Sequence, residues 1–390
     1  MGLAYFAPYG VGLGHASRLV MVADELRKNG SNAKFSSFGE AANYIVMRGY
    51  RCSMVAPVEF AWSMEGGFSV KDSLANIPLW FANFSRQVNQ ETRSIAACRP
   101  NVVVSDSRLS PVVAARLLKI PSIVILNQVK LLLSPRLRQL AVSRLFESMV
   151  GEFMGSMWAL ADRVLVPDLP PPYTIAAHNV WNIGSTSRKL EYVGFTTPRI
   201  QPSERRMEEL AESLGIDRSS PLVFVHVSGP FQTRMALVKL ALEAKRLLDP
   251  KIQFVISEGN AKGDPKPKKI AQSAWYYEWC PVRDEIFAMS DLLVLRGGHV
   301  TLSQAIQFGK PVVTVPIENH GEQLGNSTKM ADLGLGIMLR HKGLGAGQLA
   351  DGISHVLSRP EFKKKAEELQ RIAEKMDGIN NVLQIVRSYL

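Results

Sequence analysis

The stretch Asp291-Leu-Leu-Val-Leu-Arg296-Gly297-Gly298-His299-Val300-Thr301-Leu302-Ser303-Gln304 decides how the rest of the chain is read. A short apolar run, Leu292 to Leu295, ends in a basic residue and two glycines. A helical pattern then begins with a hydroxyl at Thr301. An apolar run of this length bounded by glycine reads as a strand buried on both faces, the kind found in parallel sheets. The turn after it suits a diphosphate. Glycines let the backbone approach closely, the first N–H groups of the helix donate, and Arg296 brings charge. The same pattern also describes an ordinary glycine-containing turn between strand and helix.

Outward from this stretch the alternation recurs. Strands are expected at Leu3–Ala7, Ala33–Ser36, Arg51–Val55, Val102–Ser105, Ser122–Leu126 and Arg163–Val166 in the first half. The second half repeats them at Leu222–Val227, Ile252–Ile256, Leu292–Leu295 and Val312–Val315, with weaker ones at Trp275–Tyr277 and Ile337–Leu339. Helical runs lie between, among them His15–Asn29, one within Lys71–Ala97, Pro135–Leu160 and Ala346–Leu357. Continuously apolar strands separated by helices predict an α/β fold of two doubly wound parallel sheets in series. The proline-rich segment Asp168 to Pro202 separates the halves and puts a linker near Val193–Gln201. Ligands of such sheets bind at the carboxyl ends of the strands, so the expected site is a cleft between two facing domains.

The first strand is followed by Gly10-Val11-Gly12-Leu13-Gly14-His15. A dinucleotide fingerprint would need a glycine where Ser17 stands and an acid where Ser36 and Ser37 stand, so that reading is weak. His15 falls at a helix start, which disfavours a cation; the imidazole is expected to be neutral and able to take a proton, or else to be a helix cap. Val102-Val103-Val104-Ser105-Asp106 ends a strand in a carboxylate, which can orient an imidazole or cap the next helix. Pro316-Ile317-Glu318-Asn319-His320-Gly321-Glu322-Gln323, with Asn326 a turn later, opens a helix with groups able to bond sugar hydroxyls. His299 and His320 lack the spacing of a metal site.

The 390 residues are 46% hydrophobic and 21% charged, an ordinary composition for two globular domains. No run reaches the roughly 18 apolar residues of a spanning helix. The apolar start has no basic n-region and reads as a strand rather than a signal peptide. Cys52, Cys98 and Cys280 are odd in number and far apart, which fits a reducing cytoplasm and argues against structural zinc. Net charge is +11, and +7 of it lies in residues 1–195. Such a balance suits nucleic acid, an anionic membrane surface or a polyanionic ligand, and does not choose among them.

Trp279-Cys280-Pro281, the Arg296–Gln304 block, Phe308-Gly309-Lys310-Pro311, Pro316 and Glu322-Gln323-x-x-Asn326 together resemble the donor-binding block of GT-B glycosyltransferases. The resemblance is to UDP-sugar-dependent glycosyltransferases and to the lipid-linked N-acetylglucosaminyltransferases of peptidoglycan synthesis. Gly12-x-Gly14-His15 resembles their opening glycine–histidine loop. The resemblance implies two Rossmann-like domains, 1–195 for the acceptor and 196–378 for the donor, with 379–390 a helix returning to the first. It implies that Trp279, with Cys280 beside it, borders the uracil and that Arg296 stands at a diphosphate contact. Gly297, Gly298, His299, Val300 and Thr301 would form the phosphate turn and helix start. Ser228-Gly229-Pro230 matches a second turn facing the phosphates, and Gly14 joins the donor-binding set. Glu322 and Gln323 would meet the donor sugar. Gln304 stands where relatives carry a glutamate that binds both ribose hydroxyls; an amide loses the charge-assisted bond. His15 would be the general base, oriented by Asp106, with inversion at the anomeric carbon and neither cofactor nor metal.

The expected activity is therefore transfer of a hexose or N-acetylhexosamine from a nucleotide sugar, UDP-linked by resemblance, to an acceptor hydroxyl on a lipid or glycan. A nucleotide-sugar epimerase and a non-catalytic donor-binding subunit are the alternatives. No nucleic-acid partner is expected. Arg136, Arg138 and Arg144 lie among Leu137, Leu140, Val142, Leu145 and Phe146, a pattern compatible with peripheral contact at the inner face of a membrane. Nearby Trp80, Phe81, Phe84, Met149, Phe153, Met154, Met157 and Trp158 add apolar bulk. Core-facing stripes of buried helices are the preferred reading of these residues.

Overall fold

The computed structural model describes residues 2–58, 77–130, 137–227, 229, 231–260 and 262–390. They form two compact units. One comprises the described residues before Arg199 together with Met376–Leu390; the other is Arg199–Lys375.

The first unit is built on seven strands: β1 (Leu3–Pro8), β2 (Asn32–Ser37), β3 (Cys52–Met54), β4 (Val102–Asp106), β5 (Ser122–Ile125), β6 (Arg163–Val166) and β7 (Leu190–Tyr192). Their order is 3-2-1-4-5-6-7, and every pairing is parallel. Val102, Val103 and Val104 are all fully buried, because helices cover both faces of the sheet. Those helices are α1 (Gly14–Lys28), α2 (Gly39–Met47), α3 (Ile77–Cys98), α4 (Leu109–Leu117) and α5 (Ala141–Trp158), with single turns α6 (Ala177–Val180) and α7 (Gly184–Ser187). Leu19, Ala23 and Leu26 repeat at helical spacing on α1 and share one core with Phe6, Phe35 and Val104.

The second unit holds α8 (Glu204–Leu214), β8 (Leu222–His226), α9 (Phe231–Lys245), β9 (Gln253–Ser257), β10 (Lys268–Ala271), β11 (Ala274–Tyr277), α10 (Arg283–Met289) and β12 (Leu292–Leu295). It continues with α11 (His299–Gln307), β13 (Val312–Thr314), α12 (Gly321–Asp332), β14 (Gly336–Met338), α13 (Ala346–Leu357) and α14 (Pro360–Ala373). The sheet runs 10-11-9-8-12-13-14, parallel except for β10 against β11. The last helix, α15 (Gly378–Arg387), buries Val382, Leu383 and Val386 in the core of the first unit.

Two doubly wound parallel sheets are what the alternation of apolar runs predicts. The apolar face of α5 departs from expectation. Val142 is 79% exposed, Met149 65% and Phe153 65%, and only Trp158 of that group is buried. Phe81 on α3 is likewise 70% exposed. These side chains do not enter the core, because α5 turns Glu147, Gly151, Gly155 and Trp158 inward instead.

Candidate active site

A doubly wound sheet offers a crevice where the strand order reverses, since the connections leaving the two central strands part there. In the first unit that point lies between β1 and β4, with Pro8 opposite Asp106. The loop leaving β1 passes Phe38 so closely that a Cβ on Gly10 would lie 2.2 Å from its ring. The loop then delivers His15 to the first turn of α1. His15 Nδ1 is 2.7 Å from Asp106 Oδ1. The imidazole packs edge-on against Tyr9 and its side chain is 25% exposed. The Asp106 carboxyl is fully buried. Burial alone pushes it up, but the charges and hydrogen bonds of Arg18 and His15 outweigh that and hold it down at about 2.

Arg18 is the residue that sequence reasoning missed. Its Nε donates to Asp106 Oδ2 and its Nη2 to Oδ1, with Nη2 also 3.1 Å from His15 Nδ1. The signal was present. Arg18 follows His15 by three residues, on the same helix face, in a stretch whose other inward residues are apolar.

In the second unit the reversal lies between β8 and β12. The turn after β8 contains Gly229, at φ +114; Ser228 and Pro230 lie outside the described residues. The turn after β12 is Arg296-Gly297-Gly298. Gly297 has φ +83, and a Cβ there would lie 2.2 Å from Ser327 Oγ and 2.9 Å from the Gln323 carbonyl, so only glycine fits. Asn326 Nδ2 donates to the Gly297 carbonyl at 3.2 Å. Gly298 is the N-cap of α11, and among the described residues no side chain caps that helix start. Thr301 Oγ1 donates back to the Gly298 carbonyl at 3.0 Å. Helix N-termini that follow a glycine turn are common places for an anion to bind.

Arg296 is turned inward. It is 1% exposed, its Nη2 donates to the Thr233 carbonyl at 2.5 Å and its Nη1 to the Val315 carbonyl at 3.2 Å. Burial pushes its guanidinium down to about 10. It ties the start of α9 and the end of β13 to β12, and the donor bonds it makes go to the protein's own backbone. His299 and Gln304 are buried on α11, Val300 faces outward, and Gln304 Oε1 has no hydrogen-bond partner among the described residues. Trp279 is half-exposed, while burial pushes the neighbouring Cys280 thiol up to about 12. Gln323 Oε1 accepts the Ile317 N–H at 2.9 Å and so braces the loop before α12; Glu322 is half-buried beside it. His320 caps that helix through Nδ1, which accepts from the Gln323 N–H at 3.4 Å. Among the described residues no three His, Cys, Asp or Glu side chains are grouped to hold a metal ion.

Residues 224–382 match the glycosyltransferase family 28 C-terminal domain. An uncharacterized glycosyltransferase of Methanosarcina mazei is 26% identical over 381 residues, 97% of this chain and 96% of that protein. The UDP-N-acetylglucosamine--N-acetylmuramyl-(pentapeptide) pyrophosphoryl-undecaprenol N-acetylglucosamine transferase of Caldanaerobacter subterraneus is 25% identical over 194 residues, 47% of this chain and 52% of that protein. Among solved structures, the glycotransferase of kitacinnamycin superposes with a TM-score of 0.70 at 15% identity, covering 100% of this chain and 99% of that one. A Streptomyces glycosyltransferase complexed with thymidine diphosphate gives 0.67 at 14% identity, with 100% of both chains covered. Sheets wound in this order and these relatives agree: the chain is a glycosyltransferase of the GT-B fold, and its residues 224–382 are similar to the family 28 C-terminal domain.

Proposed function

We propose that the chain transfers a hexose or N-acetylhexosamine from a UDP-linked donor to an acceptor hydroxyl with inversion at the anomeric carbon. The observation that carries this reading is the 2.7 Å contact between His15 Nδ1 and Asp106 at the reversal point of the first sheet. A hydroxyl is a poor nucleophile near neutral pH and must lose its proton as it attacks. With Nδ1 committed to Asp106, Nε2 is the atom that accepts that proton. The acceptor oxygen bonds to the anomeric carbon, the bond from that carbon to the diphosphate oxygen breaks, and the diphosphate leaves with the electron pair. Asp106 then stabilises the imidazolium. The start of α11 holds the diphosphate, Gln304 meets the ribose, Trp279 borders the base, and Glu322 with Gln323 faces the sugar. The UDP donor is supported by the relative whose name carries UDP-N-acetylglucosamine. Gln304, with one amide oxygen, makes thymidine-linked donors the comparison to run.

The test is incubation with UDP- and dTDP-linked glucose and N-acetylglucosamine and a panel of acceptors, with the product anomer read by NMR. A β-linked product from an α-linked donor supports the proposal. Epimerised sugar nucleotide, retention, or donor binding with no transfer overturns it.

A lipid-linked acceptor is favoured by the stripe Val142, Phe146, Met149 and Phe153, exposed at helical spacing on α5 with Arg144 beside it. The expected result is flotation with phosphatidylglycerol vesicles that is lost in Phe153→Glu.

A further inference from the structure

Asp106 Oδ1 is surrounded by donors. His15 Nδ1 lies 2.7 Å away, Ser107 Oγ donates at 3.2 Å, and Arg18 Nη2 donates as well. Arg18 Nε takes the other carboxylate oxygen, so the guanidinium grips both oxygens as a fork. Arg18 and Asp106 are both buried, and Arg18 is held three residues beyond His15 on α1. Both carboxylate oxygens are therefore engaged, and His15 meets Oδ1 beside the fork.

That geometry bears on the tautomer of His15. An unprotonated Nδ1 would set its lone pair 2.7 Å from a carboxylate oxygen, where the two repel. A protonated Nδ1 donates into the same oxygen, and the 3.1 Å approach of Arg18 Nη2 to Nδ1 follows from two donors sharing one acceptor. Nε2 is then left with its lone pair. The fork also places a fixed positive charge beside the ring, so Asp106 faces His15 as half of a neutral pair rather than as a free anion. Among the described residues the charged and titratable groups set against the ring are Arg18 from its own helix, Asp106 from β4 and Tyr9 from the loop after β1, whose hydroxyl donates to the Val58 carbonyl.

We propose that Arg18 is a positioning residue for the transfer reaction: by forking Asp106 it holds His15 in the Nδ1–H tautomer, with Nε2 bare for the acceptor. Arg18 touches neither donor nor acceptor in this role, and the inference rests on the reading of His15 as the base.

The experiment combines imidazole ¹⁵N NMR of the full chain with turnover against pH, for wild type, Arg18→Gln, Arg18→Lys and His15→Ala. In wild type, the His15 signals should show Nδ1 protonated and Nε2 bare. Arg18→Gln should lower kcat by roughly tenfold or more while the donor KM stays within about threefold. Its acid limb should move to higher pH, because removing the cation leaves an unshared carboxylate that favours the imidazolium. Arg18→Lys keeps the charge and loses the fork, so its acid limb should stay near wild type while the tautomer signal becomes mixed; this variant also serves if Arg18→Gln folds poorly. A wild-type ring protonated on Nε2, or an Arg18→Gln variant with unchanged tautomer and acid limb, overturns the inference. Full turnover in His15→Ala overturns the base assignment instead, and the NMR readout keeps the two failures apart.

Discussion

At the residue scale, the proposed chemistry depends on which nitrogen of His15 is bare. His15→Ala should leave the fold and donor affinity close to wild type and lower kcat by about 10²-fold or more, the usual contribution of a placed general base. Calorimetry with the nucleotide and saturation kinetics check this together, and turnover surviving at saturating substrates would end the assignment. Asp106→Asn should slow turnover less, since an amide still meets the ring, but it should destabilise the first unit. It leaves Arg18 buried against a neutral partner, a change that typically costs about 3–5 kcal/mol. The Asp106 carboxyl also sets a pH dependence. Its folded value, about 2, lies below the ordinary value of roughly 3.9. Its contribution is therefore complete above about pH 4 and is lost as the pH falls from there toward 2, on the order of 2 kcal/mol in all. Acid unfolding of wild type should show that slope and Asp106→Asn should lack it. His15 and Asp106 were legible as candidates because one sits just past the glycine loop after an apolar strand and the other ends such a strand. Arg18 was not singled out, because a lone arginine on a helix is ordinarily a surface residue, and only the carboxylate across the sheet gives it a buried partner.

At the element scale, the two reversal-point turns carry the specialised backbone. Gly297 combines φ +83 with a neighbour 2.2 Å from where a Cβ would stand. Gly297→Ala should lower the stability of the second unit by about 1–3 kcal/mol and weaken nucleotide binding, because the start of α11 must shift. Thermal melting and nucleotide calorimetry check it; unchanged affinity would remove this turn from the donor site. Arg296→Met should act mainly through stability, since Arg296 joins the carbonyls of Thr233 and Val315. The elements themselves differed in legibility. Buried strands such as β4 and β12 announce themselves by continuous apolar residues. The edge strand β10 is exposed throughout and rich in lysine, so it carries no such signal. The helix α8 was readable in principle from the Ser203 cap and Gly215 at φ 72, yet its apolar face is narrow and buries only Ala211.

At the scale of the whole molecule, the last residues belong to the first unit. Val382, Leu383 and Val386 share a core with Leu19 and Phe35, more than 300 residues earlier in the chain. Leu383→Ala should destabilise the first unit by about 2–4 kcal/mol and leave the melting of the second unchanged. Calorimetry resolving the two transitions checks it, and an equal loss in both would show that α15 has no preference for the first core. The sequence by itself determined what each segment could be, because continuous apolar runs, helical spacing, glycines and prolines act on the backbone within a few residues. It also determined which turns carry glycine. The tertiary structure alone decided which strands are neighbours, since that choice rests on packing and crossover handedness summed over a whole sheet. That choice put His15 against Asp106, 91 residues away, with Arg18 beside both, and turned Arg296 inward to the carbonyls of Thr233 and Val315. It also left the apolar stripe of α5 exposed, because a helix is amphipathic by local spacing but only its neighbours determine which face they cover.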